Sequence, residues 1–97
     1  MGLTCSRPLK GRQLVNISQQ LLEGIKHANA GDWDAAHSIA QTHEGHTDAD
    51  WLHAILHKIE GDAANSRYWY SKASKSYDTY SDARSELEAL KATLQNR

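Results

Sequence analysis

Three side chains on one stretch, Asp50, His53 and His57, have the types and spacing that do chemistry. At about 100° per residue they fall on one side of a helix, opposite a stripe of Trp51, Leu52, Ile55, Leu56 and Ile59. Two histidines at i and i+4 can ligate one zinc or nickel ion, and a carboxylate one turn away can be a third ligand. A closed site also needs a ligand from a second element, for which the candidates are Asp62, His37 and His43. Six histidines in 97 residues make this chemistry worth following. The same residues read as general acid/base equipment if a second helix turns Asn65, Tyr68 and Lys72 toward them, with His53, His57 and Tyr68 as the reacting groups.

The competing reading is structural. Asp62 serves as a helix cap, Asn65 and His57 hydrogen-bond across a tight corner, and Trp51, Trp69, Tyr68 and Tyr70 fill a thin core. Lys58 and Glu60 are then solvated. Neither a nucleophile signature nor a phosphate loop nor a cofactor motif accompanies the histidines. The residues taken alone therefore assign no catalytic, metal or cofactor role. They leave Trp51, His53, His57, Asp62, Asn65, Tyr68 and Trp69 as the candidate binding set.

Helices must position these groups. The chain has one Pro, no Phe and many Ala, Leu, Gln, Glu and Lys, a balance that favours helix over strand. Leu14, Ile17, Leu21, Leu22, Ile25 and Ala28 step by three and four from about residue 12, and Gly31 stops that helix. Asp32 caps a second helix carrying Trp33, Ala36 and Ala40, which Gly45 stops. Thr47 or Asp48 caps the third, Gly61 stops it, and Asp62 caps the fourth. Residues 74–81 read as a loop, and Ser81 or Asp82 caps a fifth helix with Ala83, Leu87, Leu90 and Leu94 on its core face. The predicted architecture is all-α: residues 1–11 a flexible terminus, 12–97 one domain of two antiparallel hairpins and a capping helix.

Composition excludes several classes. Eleven basic and twelve acidic residues are interspersed, so no basic face suits nucleic acid. No apolar run approaches a membrane span, and Cys5 stands alone, so no disulfide framework is expected. Met1-Gly2-Leu3-Thr4-Cys5-Ser6 fits a short myristoylation template that is met often by chance, and we read no lipid anchor from it. The expectation is a soluble, cytoplasmic protein.

Gly31-Asp32-Trp33 with Ala36, and Ala54, Gly61-Asp62, Tyr70 and Ala73, resemble the turns and small-residue positions of tetratricopeptide repeats. Trp69-Tyr70-Ser71-Lys72-Ala73 is similar to a Sel1-type repeat. Ala40 stands where such repeats place an aromatic residue, and Ser66 where they place Ala. Trp51, His53, Ala54, His57, Lys58, Glu60-Gly61-Asp62, Asn65 and Tyr68-Trp69-Tyr70 resemble more closely the W-x-H-A-x-x-H-[KR]-x-E-G-D-x-x-N-x-x-Y-W-Y string of a small, mainly bacterial, all-helical family without known activity. The resemblance implies a helical fold and a bacterial setting. Helical-repeat hairpins stack into grooves that hold peptides. The reading is thus a non-enzymatic interaction module for a protein or peptide, with self-association as a second partner class. A metal-binding protein or His-dependent hydrolase is the alternative.

Overall fold

The computed structural model describes residues 17–97, which form five helices and no strand. They are α1 (Ile17–Asn29), α2 (Trp33–Thr42), α3 (Thr47–Glu60), α4 (Ala63–Lys72) and α5 (Ala83–Gln95). The expected flexible terminus, the helix start near residue 12, and the Gly2 and Cys5 motif lie outside the described residues.

Local chemistry sets most boundaries. The carboxylates of Asp32, Asp62 and Asp82 accept from backbone N–H groups in the first turns of α2, α4 and α5, satisfying donors that a helix start leaves open. Gly61 closes α3 at φ +90°, a conformation that costs a side-chain-bearing residue energy. The start of α3 differs from expectation: neither Thr47 nor Asp48 caps it. His46 does, its ring nitrogen accepting from the Asp48 N–H at 3.3 Å. Asp48 is occupied elsewhere, its carboxylate held bidentately by the Arg97 guanidinium at 2.9 Å.

Helix α3 is the axis of the molecule and packs against all four other helices. Its residues from Asp48 to His57 are buried, polar and apolar alike. The side of α3 that carries the histidines is therefore an interior face, covered by α2 and α4. Leu21, Ile25, Leu52, Ile55, Leu56, Tyr70 and Leu90 are the large apolar residues fully enclosed. Gly24 lets α1 approach closely, since a Cβ there would stand 2.9 Å from Leu52 Cδ2. Ile59 departs from the predicted stripe: it is 46% exposed, because the buried part of α3 ends a residue or two earlier.

Lys58 corrects the sequence reading more sharply. It is not solvated. Its ammonium donates to Glu86 Oε1 at 2.9 Å and to the carbonyls of Tyr77 and Tyr80 at 3.0 and 2.9 Å. Glu86 is 1% exposed, and its carboxylate also accepts from the Trp51 indole N–H at 2.8 Å and the Tyr70 hydroxyl at 2.7 Å. Burial and the adjoining carboxylate push the Tyr70 hydroxyl pKa upward, so it acts here as a donor. This fully bonded ion pair ties α3, α4, α5 and the 73–82 connection together.

Candidate functional site

Helix α2 brings Trp33 and His37, one turn apart, onto the face of α3 that carries His53 and His57. Helix α4 brings Trp69 to the same place. Trp33 stacks on His37 with centroids 4.5 Å apart, and Trp69 stacks on His53 at 3.9 Å. The His37 ring stands nearly perpendicular to His53 and His57, at 4.7 and 5.3 Å. The Trp33 indole N–H donates to the Leu56 carbonyl at 2.7 Å and so fixes the outer wall.

Three imidazoles thus converge between two tryptophans. Nε2 of His37 and Nε2 of His53 are 3.0 Å apart. One ring nitrogen from each of His37, His53 and His57 lies within 4.8 Å of the other two. His57 is oriented by Glu60: its Nδ1 donates to the carboxylate at 2.7 Å, which leaves the Nε2 lone pair free to accept or ligate. His53 is 3% exposed, and its Nδ1 meets no hydrogen-bond partner.

Electrostatics favour the neutral ring at His37 and at His53. Burial lowers the pKa of His53 to about 4, and the charges of His37 and His57 push it the same way. Burial also lowers the pKa of His37, with the His57 charge second, against a weaker upward pull from Glu60, Asp34 and Glu44. Neutral imidazoles keep the lone pairs that a metal ion needs.

The donor set fits such an ion. Two nitrogens bound at 2.0–2.1 Å in tetrahedral geometry stand roughly 3.3 Å apart, close to the His37–His53 separation. Of the second-element ligands expected from sequence, His37 is the one delivered. His43 pairs instead with the Gln20 side chain, and Asp62 caps α4. Asp50 takes no place beside the histidines: its Oδ1 accepts from the Gly45 N–H at 3.1 Å, at the other end of α3. A second grouping of His57, Glu60 and Asp62 has both carboxylates on the exposed surface.

The remaining candidates divide. Trp69 belongs to the site. Trp51 serves the Glu86 network. Asn65 stays on the surface of α4, its amide 3.5 Å from the Asp62 carboxylate. Tyr68 is 54% exposed and sets its ring at a right angle to Trp69. The acid/base arrangement expected of His53 or His57 with Tyr68 is replaced by one of imidazoles with indoles. Trp33 was missed as a site residue. Its signal lay in the pair Trp33 and His37 at i and i+4, aromatic residues that a helix must set side by side. No protein-family model, curated protein or solved structure matches the chain.

Proposed function

We propose that this chain is a small metal-binding protein that holds a divalent transition-metal ion, zinc or nickel, on His37, His53 and His57. One observation carries the reading: three ring nitrogens from two helices lie within 4.8 Å of one another. Three further facts support it. The ligand set is all imidazole, which suits borderline ions rather than magnesium or calcium. Glu60 orients His57 as carboxylates orient metal-bound histidines. The stacked tryptophans immobilise His37 and His53, so little side-chain entropy is left to lose on binding.

X-ray absorption spectroscopy on zinc-loaded, untagged protein tests the proposal. It predicts three imidazole ligands at about 2.0–2.1 Å, and two in His37→Ala. A shell of water oxygens without imidazole would overturn it.

The interaction-module reading rests on a different observation. Ile59 and Tyr68 are the large hydrophobic side chains exposed among the described residues, and the pairs α1–α2 and α3–α4 are compatible with repeat-like hairpins. An interface centred on either would need it as an anchor. Under this reading Ile59→Asp or Tyr68→Ala removes binding of a partner or a second copy without changing the melting temperature.

A further inference from the structure

Three imidazoles are one ligand short of the four that zinc usually takes. No further His, Cys, Asp or Glu among the described residues joins His37, His53 and His57 in their cluster. Asp50, His43 and Asp62 are engaged elsewhere. His53 is 3% exposed and keeps Nδ1 without a partner, the one buried side-chain nitrogen or oxygen of this kind among the described residues. The innermost ring thus has bonding capacity that the protein leaves unused, which marks a place for a ligand.

The cluster is buried on one side only. His53 and His57 are enclosed, whereas His37, Trp33 and Trp69 are partly exposed. An ion on the three rings therefore has protein behind it and solvent in front, and water fills its fourth position. Zinc with three protein ligands and a water is the arrangement of catalytic rather than structural sites. The ion lowers the pKa of that water to about 7 and so supplies hydroxide at neutral pH. The surroundings limit what it can attack. Three carboxylates, Glu60, Asp34 and Glu44, act on the charge of His37. Together they outweigh a dipositive ion, so they repel anions such as phosphate esters and leave uncharged esters unopposed. The partly exposed indoles of Trp33 and Trp69 offer apolar surface to an acyl or aryl group.

We propose, on the basis of the metal site above, that the zinc form of this protein hydrolyses small, uncharged carboxylic esters. The oxygen of the zinc-bound hydroxide bonds to the acyl carbon, and the bond from that carbon to the leaving oxygen breaks. The hydroxide's own proton passes to the leaving oxygen, so that a carboxylate and an alcohol depart. A new water then binds the ion and gives one proton to solvent.

The test measures release of 4-nitrophenol from 4-nitrophenyl acetate at neutral pH by untagged, full-length protein, with zinc content determined on the same samples. Zinc-loaded protein should be faster, by about tenfold or more per zinc, than metal-free protein or zinc salt alone. A chelator should abolish the gain and added zinc restore it, without recourse to a variant. 4-Nitrophenyl phosphate, which is anionic, should show no such gain. Cobalt in place of zinc supplies a visible spectrum, which should shift when azide takes the open position. Equimolar zinc with no gain in rate, a cobalt spectrum indifferent to azide, or a preference for the phosphate ester would overturn the proposal and leave metal binding standing. Protein that takes up no zinc would overturn both.

Discussion

Nε2 of His37 faces Nε2 of His53 at 3.0 Å, across the interface between α2 and α3. Two neutral imidazoles can meet this way only if one gives a proton and the other accepts it. His57 is engaged with Glu60 through Nδ1 and presents its other nitrogen. The cluster therefore holds more lone pairs than protein donors. A divalent cation bound as proposed would draw on one lone pair from each ring.

Metal should stabilise the native state. An ion that binds only the folded chain adds about 2.7 kcal/mol at a free concentration one hundred times its Kd. Adding zinc to metal-free protein is therefore expected to raise the melting temperature by several degrees, and a chelator to reverse the rise. Differential scanning calorimetry on untagged protein checks this. An unchanged midpoint would count against the site.

Acid should destabilise the metal-free protein in a defined window. The folded pKa of His53 is about 4, below its ordinary value of 6.5, so between these values the unfolded chain binds more protons than the folded one. Stability is full above pH 6.5 and falls as the pH drops toward 4. The expected loss is a few kcal/mol, and His53→Phe should flatten the profile. Urea unfolding at a series of pH values measures it.

The Glu86 network predicts an asymmetry. Lys58→Met leaves a buried carboxylate without its cation and should cost ~3–5 kcal/mol. Glu86→Gln keeps an acceptor for Trp51 and Tyr70 and removes the charge, so it should cost less. Denaturant midpoints of the two variants check the order. Equal small losses would mean that Lys58 reaches solvent instead.

Much of this fold was legible because it is written locally. Asp32, Asp62 and Asp82 each sit one residue before a helix and cap it. Other features depend on tertiary placement and left no local trace. His46 displaces Thr47 and Asp48 as a cap because Arg97, distant in sequence, claims Asp48. Lys58 reads as a solvent-facing residue until α5 brings Glu86 to it. Ile59 follows the apolar period but lies past the point where neighbouring helices cover α3.

The candidate site was half legible for the same reason. His53 and His57 share a helix, so their spacing alone sets them side by side. His37 stood as one of three choices for a further ligand. Only the packing of α2 on α3 selects it over His43, which turns to Gln20, and over Asp62, which caps α4. Asp50 satisfies the helical wheel yet sits two turns away from His57, where Gly45 takes its carboxylate.

Zinc content decides whether His37, His53 and His57 hold an ion together. Untagged wild-type protein and His37→Ala are loaded with zinc, freed of excess ion by gel filtration, and analysed for metal against protein concentration. His37 is only half-buried, so its removal should leave the fold intact, which circular dichroism confirms. Equimolar zinc is expected in the wild type and a marked loss in the variant. Wild-type protein without zinc, or a variant that retains as much, would contradict it.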